Sequence, residues 1–193
     1  SVILLDEMEK AHPGVQDIFY QVFDKGTIKD GEGRDIDFKN TIIIMTSNVG
    51  TDTTMSLFED EETKPSIKGL QNALQDDLLT VFKPAFLGRI NVIPYLPLSD
   101  DILMQIAEIQ LGKIHQRVTK HYAAAFNYDD SVLDHIVGNC QNAGSGARNI
   151  HNILQNSVLP LLSDILLSNM IEGDSVETVY LTVEDNNFDA RLN

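Results

Sequence analysis

Two adjacent carboxylates, Asp6 and Glu7, follow the aliphatic run Val2–Leu5 near the start of the chain. An aliphatic run without alternation is typical of a strand buried on both faces of a mostly parallel sheet. Open sheets of this kind bind ligands at the carboxyl ends of their strands. There, one carboxylate can hold Mg²⁺ and its neighbour can activate an attacking water molecule. The two acids are therefore the first candidates for chemistry.

The stretch VILLDE has the Walker B pattern of nucleotide hydrolases, in which aliphatic residues precede Asp-Glu. A strand also ends in two acids by chance, so the pattern needs a second feature beside it. The run TIIIMT at residues 41–46 predicts another buried strand, whose end would place Thr46, Ser47 and Asn48 at the same sheet edge. These residues could simply stabilise a turn. With Asp6 beside it, we favour Asn48 as a residue that orients water or a γ-phosphate.

Two arginines lie in well-defined surroundings. Arg89 is fixed between apolar residues in FKPAFLGRI, after a proline that ends the preceding predicted helix. Arg148 begins a predicted helix after GSG, where Gly144 and Gly146 permit a tight turn, so its guanidinium could reach a phosphate. The plain alternative is a surface arginine of little energetic weight. Neither residue indicates a function by itself.

The elements that would position these residues follow from hydrophobic spacing. Between the two strands, apolar residues from Val15 to Phe23 recur at helical spacing, and Gly26 follows as a stop. The segment IKDGEGRDIDF predicts a hairpin that turns at Asp30. Further along, the sequence predicts a solvated loop at 51–68, a helix at 70–82 and a last short strand at 92–95.

A domain boundary is predicted near Pro97, where two prolines interrupt regular structure. We expect residues 1–97 to form an α/β domain with a parallel sheet, and residues 98–193 to form a smaller α+β domain. In the second domain the spacing predicts a helix that starts after Ser99, strands at 123–128 and 178–183, and helices at 131–140 and 147–168.

Composition argues against several functions. The chain has 29 acidic and 14 basic residues, so its surface should repel nucleic acid and anionic membranes. No apolar run approaches the roughly 20 residues that cross a bilayer. Cys140 is the single cysteine, which suits a reducing cytoplasm and a small buried residue. The histidines lack ligand spacing, which argues against a zinc site.

Taken in order, VILLDEMEKAHP, DGEGRDIDFKNTIIIMTSN, FKPAFLGRI and SGARN resemble the second ATPase module of the Clp/Hsp100 AAA+ unfoldases. The resemblance covers nearly the whole chain. It implies an incomplete AAA+ (P-loop NTPase) large subdomain at residues 1–97, from Walker B onward, and a small α+β C-terminal lid domain at residues 98–193. It also implies that ATP and Mg²⁺ are the cofactors.

The resemblance implies roles for single residues. Asp6 matches the Walker B acid on the Mg²⁺ side, Glu7 matches the residue that activates water, and Asn48 matches sensor 1. Arg89 looks like the arginine finger, which acts on ATP bound by the neighbouring subunit. Arg148 looks like sensor 2, which binds ATP from the lid domain.

Members of this family form homo-hexameric rings that thread polypeptide through a central pore, and the hairpin around Asp30 would face that pore. FLGRINVIPYLPL and SGARNI look most like the bacterial branch that disassembles contracted type VI secretion sheaths, with protein disaggregation as the alternative. Peptidase-coupled members carry I-G-F or I-G-L after sensor 1. That tripeptide is absent between Val49 and Leu79, so we expect no peptidase partner.

The sequence contains no G-x-x-x-x-G-K-[ST] motif, whose backbone N–H groups and lysine bind phosphates. We therefore expect the chain to be a fragment that begins in mid-domain and hydrolyses no ATP by itself. For the isolated chain, the alternative is a non-catalytic module that binds protein partners.

Overall fold

The two aliphatic runs form neighbouring parallel strands in the computed structural model, which describes residues 1–142, 146–172 and 176–193. The elements in order are β1 (Val2–Leu5), a 3₁₀ turn (Met8–Lys10), α1 (Pro13–Lys25), β2 (Thr27–Lys29), β3 (Asp35–Asp37) and β4 (Ile42–Met45). β1 and β4 pair with Val2 opposite Ile42, whereas β2 and β3 pair antiparallel. The predicted strand–helix–strand order and the predicted hairpin are confirmed.

Both ends of α1 are fixed by signals in the sequence. The Nδ1 of His12 accepts the N–H of Gly14 at 3.0 Å, and Pro13 occupies the first helical position, where no N–H is needed. At the other end Gly26 adopts φ 70°, and its N–H donates to the Val22 carbonyl. This left-handed conformation suits glycine and ends the helix where the sequence predicts it.

The Asp30 side chain holds the turn of the hairpin. Its Oδ1 accepts the backbone N–H groups of Glu32 and Arg34, each at 2.9 Å, and its Oδ2 accepts Nε of Arg34 at 2.9 Å. These hydrogen bonds, chiefly those from Arg34, hold the pKa of Asp30 below its usual value. The hairpin therefore has a fixed, charged tip.

The prediction that β1 and β4 are buried on both faces is wrong for the described residues. One face of the strand pair has side chains with exposed fractions between 49% and 64%, those of Val2, Leu4, Ile42 and Ile44. The other face, with Leu5 and Met45, packs on the apolar cluster formed by Met8, Phe82 and Phe86. An aliphatic run indicates that a strand is suited to burial, but the elements that pack on each face decide whether that face is buried.

Residues 51–97 contain more helix than the sequence predicts. The expected loop forms α2 (Thr51–Leu57), a 3₁₀ turn (Glu61–Thr63) and the start of α3 (Ile67–Ala73), which α4 (Gln75–Val81) and α5 (Pro84–Leu87) follow. Within α2, Thr54 is buried and its hydroxyl donates to the Gly50 carbonyl at 2.8 Å, and the Thr53 hydroxyl donates to Oδ2 of Asp77 at 2.5 Å in α4. The prediction of a loop there is wrong.

The predicted strand at residues 92–95 is also wrong, because this segment pairs with no strand of the described chain. The Val92 carbonyl instead accepts a hydrogen bond from Nε2 of Gln71 at 2.8 Å. Tyr95 is 90% exposed. The β-branched and aromatic residues that suggest a strand lie on an irregular segment.

The chain divides into two units, Ser1–Pro97 and Leu98–Asn193. The second contains α6 (Asp100–Tyr122), β5 (Ala125–Tyr128), α7 (Asp130–Asn142), α8 (Ala147–Ile153), a π-helical turn (Leu154–Val158), α9 (Leu159–Glu172), β6 (Thr178–Glu184) and β7 (Asn187–Leu192). The apolar positions that define α6 in the sequence are all buried: Leu103, Ala107, Leu111, Ile114 and Val118. They share one core with Phe126 of β5 and Val179 of β6. The predicted α+β architecture is confirmed.

Two features of this unit are absent from the predicted elements. The first is a π turn inside the helix expected at 147–168, in which the Leu159 N–H donates to the Leu154 carbonyl. Pro160 follows this turn. The wider π turn accommodates the proline ring, which has no N–H to donate. β7 is the second feature. Asp185 and Asn186, at φ 49° and 64°, form the two-residue turn that pairs it with β6.

Cys140 is buried in this core, as predicted, and burial raises the pKa of its thiol. In the part of the chain that the structure describes, no helix is both long and apolar enough to span a membrane. The same residues contain no group of three or more His, Cys, Asp or Glu side chains that could hold a metal ion by itself.

Candidate functional site

The carboxyl ends of β1 and β4 meet at Thr46. The Thr46 N–H donates to the Leu5 carbonyl at 2.9 Å, and the Thr46 carbonyl accepts the N–H of Met8 at 3.0 Å. These two backbone bonds hold the chain on both sides of Asp6 and Glu7 against the end of β4. Both acids therefore lie at the sheet edge where parallel strands present their ligand-binding residues.

The Thr46 hydroxyl contacts both acidic residues. Its Oγ1 accepts the backbone N–H of Glu7 at 3.1 Å, and its proton is donated to Oδ1 of Asp6. A hydroxyl has one proton, and the bond from Glu7 occupies an acceptor position, so that proton is free for Asp6. Thr46 thus orients the Asp6 carboxylate, a role that its place in TIIIMT does not reveal.

Glu7 has a left-handed backbone conformation, with φ 55° and ψ 49°. A residue other than glycine adopts this conformation at a cost of about 1 kcal/mol. The N–H bond to Thr46 and the burial of the next residue, Met8, hold it in place. The sharp change of direction turns the chain away from the strand directly after Asp6.

The Glu7 carboxylate forms an ion pair with Nζ of Lys10 at 2.9 Å, and both side chains are largely exposed. Hydrogen bonding to Glu7 and its negative charge raise the pKa of Lys10. An exposed pair of this kind contributes little stability. The Glu7 carboxylate can therefore exchange Lys10 for another partner at low cost.

Asn48 follows the end of β4 and is exposed. Its backbone carbonyl accepts the N–H and the hydroxyl of Thr51, at 3.3 and 2.7 Å, at the start of α2. Within the described residues, its side-chain amide has no hydrogen-bond partner. The backbone of Asn48 thus forms the turn, and the amide is left for a ligand.

Arg89 is held by three groups of the first unit. Its Nε and Nη2 donate to the two carboxylate oxygens of Asp24 at 2.7 and 3.1 Å, and its Nη1 donates to the Ala85 carbonyl at 2.8 Å. The guanidinium carbon lies 5.4 Å from the centre of the Tyr20 ring, a cation–π distance. Hydrogen bonding to Arg89 lowers the pKa of Asp24, and the same contact raises the pKa of Arg89. Arg89 is an oriented cation.

The segment before Arg89 is also fixed to α1. Gln16 is buried, and its Nε2 donates to the Val81 carbonyl at 3.1 Å while its Oε1 accepts the N–H of Lys83 at 3.3 Å. The Lys83 side chain pairs with Asp17 at 2.6 Å. Because Gln16 lies on α1 and bonds to the backbone of both Val81 and Lys83, α1 determines where the segment carrying Arg89 lies. The exposed Lys83–Asp17 pair adds little to this attachment.

Arg89 is not brought together with Asp6 and Glu7. The described contacts of Arg89 are with Asp24, the Ala85 carbonyl and the Tyr20 ring, and none is with Asp6 or Glu7. Met8, directly after Glu7, shares an apolar cluster with Phe86, three residues before Arg89. No hydrogen bond or ion pair of the described residues joins the arginine to the acids.

Arg148 is exposed in the first turn of α8, in the second unit. Gly146 directly precedes α8 with φ 52°. The prediction that Arg148 lies at the start of a helix is confirmed, whereas the predicted tight turn falls mostly outside the described residues. Gly144, the other glycine of that prediction, lies outside the described residues.

Comparison with known proteins gives matches along nearly the whole chain. Residues 1–93 match the family model described as the AAA domain (Cdc48 subfamily). Residues 98–180 match the C-terminal, D2-small domain of ClpB protein.

Curated relatives carry both ClpV and ClpB names. The chain is 48% identical over 188 residues to the AAA+ ATPase ClpV1 of Pseudomonas aeruginosa, which covers 97% of this chain and 21% of the relative. It is 47% identical over 167 residues to the chaperone protein ClpB of Yersinia enterocolitica, covering 86% of this chain and 19% of the relative. The chain thus spans about a fifth of the length of these relatives.

A similar solved structure is the closed-state cryo-EM reconstruction of Hsp104 with ATPγS and FITC casein. The match covers 100% of the present chain and 32% of the Hsp104 chain. Its TM-score is 0.77 and the sequence identity is 27%. The AAA fold expected from the sequence is confirmed by this similarity and by the family match.

Proposed function

This chain belongs to the Clp/Hsp100 family of AAA+ ATPases, and we propose that it is the later part of the second ATPase domain of a protein-remodelling ring. Residues 1–97 are the large subdomain from Walker B onward, and residues 98–193 are the small lid domain. Separate family matches to the two parts support this division. The observation that carries the proposal is the Thr46 hydroxyl, which joins Asp6 and Glu7 into one polar edge.

At this edge the residue roles follow from chemistry. Asp6 holds Mg²⁺ together with nucleotide phosphates, since Mg²⁺ takes oxygen ligands and often uses only one or two carboxylates of the protein. The exposed carboxylate of Asp6, oriented by Thr46, fits that use. When bound, ATP with Mg²⁺ supplies the phosphoryl group and neutralises its charge. Glu7 accepts the proton of the attacking water, and the Asn48 amide orients that water or the γ-phosphate.

Two cations complete the site in the assembled ring. Arg89 is the arginine finger and binds the ATP of the neighbouring subunit, a role supported by a guanidinium that is oriented by Asp24 and makes no described contact with Asp6 or Glu7. Arg148 is sensor 2 and binds ATP from the lid domain. By its similarity to Clp/Hsp100 proteins, we propose that the ring is a homo-hexamer with polypeptide in its pore. Because the sequence has no phosphate-binding loop, we expect no measurable ATP hydrolysis by the 193-residue chain alone.

We propose that the ring is ClpV-like, works in the bacterial cytoplasm and disassembles contracted type VI secretion sheaths. Identity with ClpV1 of Pseudomonas aeruginosa is 48%, whereas the ClpB chaperones of Malacoplasma penetrans and Vibrio cholerae reach 37% and 36%. The elements FLGRIN and GARN support the same branch. The ClpB of Yersinia enterocolitica, at 47%, favours ClpB-like disaggregation as the alternative. The absence of an I-G-F or I-G-L tripeptide between Val49 and Leu79 supports a ring without a peptidase partner.

The full-length protein should disassemble contracted sheaths when ATP is added, and sedimentation of the sheath measures this. Reactivation of a heat-aggregated enzyme is the parallel assay. Disaggregation without sheath disassembly would assign the ClpB-like function instead. Failure in both assays by a protein that assembles and hydrolyses ATP would contradict the remodelling function.

Thr46→Val tests the polar edge directly, because valine keeps the shape of threonine and lacks its hydroxyl. Asp6 then loses a donor and the Glu7 N–H loses its acceptor. We expect ATP turnover of the full-length protein to fall about 10-fold, with ATP affinity changed by less than about 2-fold. Thr46→Ser should restore most of the rate. Thr41→Val, just before the other end of β4, is the control, and equal rates for the two valine variants would disprove the role of Thr46.

A further inference from the structure

We propose that Asp24 is a positioning residue that orients the Arg89 guanidinium toward the ATP of the neighbouring subunit. The proposal rests on the proposed role of Arg89. In this proposal Asp24 does not contact the nucleotide and acts only through Arg89. The contact that suggests this role is the pairing of both Asp24 oxygens with Nε and Nη2 of Arg89.

The hydrogen bonds of Arg89 leave a defined pair of donors. A guanidinium has five N–H groups in one plane. Asp24 accepts one from Nε and one from Nη2, and the Ala85 carbonyl accepts one from Nη1. One N–H on each terminal nitrogen remains. Two such donors match two oxygens of a phosphate.

Asp24 restricts a rotation that the Tyr20 contact leaves open, and the Ala85 carbonyl assists it with a single hydrogen bond. The Tyr20 ring meets the guanidinium face, and a face contact allows the guanidinium to turn within its own plane. The two-oxygen bond from Asp24 stops that rotation. Tyr20 and Asp24 are four residues apart on α1, so they lie on the same side of the helix and act on Arg89 together.

Because the Asp24–Arg89 ion pair is partly exposed, its effect on the orientation of Arg89 can be measured apart from its small effect on folding stability. The Arg89 and Asp24 side chains are 37% and 52% exposed. Ion pairs at such positions contribute little to folding. An arginine that is already oriented loses less side-chain freedom when it binds phosphate, so removal of Asp24 should act on the reaction rate.

The experiment uses the full-length protein and compares Asp24→Asn with Asp17→Asn. Asp17 is a matched control, because it lies on the same helix, is similarly exposed and pairs with Lys83 at 2.6 Å. For Asp24→Asn we expect kcat for ATP to fall about 10-fold, while KM, nucleotide binding and ring assembly stay within about 2-fold of the wild type. Asp17→Asn should keep the wild-type kcat, and Asp24→Glu should recover part of the loss.

A second comparison repeats Asp24→Asn in an Arg89→Ala background, where it should cause no further loss of rate. A further loss there, or a wild-type kcat for Asp24→Asn, would overturn the proposal. Loss of ring assembly in both Asp24→Asn and Asp24→Ala would also overturn it, since Asp24 would then be structural. If the single variant Arg89→Ala keeps its ATPase activity, the proposed role of Arg89 is wrong. This outcome is distinguishable from a failure of the proposed role of Asp24, because the variant does not change Asp24.

Discussion

Glu7→Gln in the full-length protein is expected to slow ATP hydrolysis about 100-fold or more and to leave ATP bound. Glutamine has the shape of glutamate, but its amide cannot accept the proton of an attacking water. The bond that places residue 7 uses its backbone N–H and the Thr46 hydroxyl, so the edge of the sheet stays intact. The ion pair that is lost, to Lys10, is exposed and contributes little stability.

Phosphate release at saturating ATP measures the rate, and binding of a fluorescent ATP analogue measures the affinity. Glu62→Gln makes the same chemical change at an exposed surface residue and should leave both unchanged. A Glu7→Gln protein that turns over ATP at the wild-type rate would remove Glu7 from the reaction. A protein that no longer binds ATP would place Glu7 in binding instead.

The positions of the two acids were accessible to sequence reasoning because their signals are local. An aliphatic run predicts a strand, and the rule that parallel strands expose ligand sites at their carboxyl ends then places Asp6 and Asn48 at one edge. Gly26 and Pro13 likewise mark the ends of α1. Each of these inferences depends on residues close together in the chain.

Burial and pairing were less accessible, since they depend on residues far apart. The aliphatic pattern of β1 does not tell which elements cover its two faces, and Val2 is in fact exposed. β7 was missed because its residues alternate weakly, although the Asp185-Asn186 turn is a usable signal. α2 forms in a polar segment whose Thr53 hydroxyl donates to Asp77, 24 positions away.

The contacts that orient the candidate site were not visible in the sequence at all. Asp24 and Arg89 are 65 positions apart, and Asp6 and Thr46 are 40 apart. Their pairing depends on how α1 and β4 are placed by the fold. Resemblance to a family assigned roles to Arg89 and Asp6, but the residues that hold them, Asp24 and Thr46, required the structure.

Arg89→Ala is expected to reduce ATP hydrolysis by the ring about 1,000-fold, with nucleotide affinity and assembly nearly unchanged. An arginine finger stabilises the negative charge that develops on the transferred phosphoryl group, so its loss acts on the rate. Truncation also frees the exposed Asp24 and uncovers part of the Tyr20 ring, but Arg89 is not part of the apolar cluster around Phe86, which is kept. Arg117→Ala, which removes an exposed guanidinium from α6, is the control.

Rings that mix Arg89→Ala with Glu7→Gln subunits decide whether the arginine acts across the interface. An Arg89→Ala subunit keeps its own Glu7, and a neighbouring Glu7→Gln subunit supplies an intact arginine, so that interface regains a complete site. In a random 1:1 mixture about a quarter of the interfaces should be of this kind, and turnover should rise well above that of either pure ring. An arginine that served the ATP of its own subunit would give no such recovery, because every subunit would lack one of the two groups. Absence of recovery in rings shown to exchange subunits would therefore reject the trans role of Arg89.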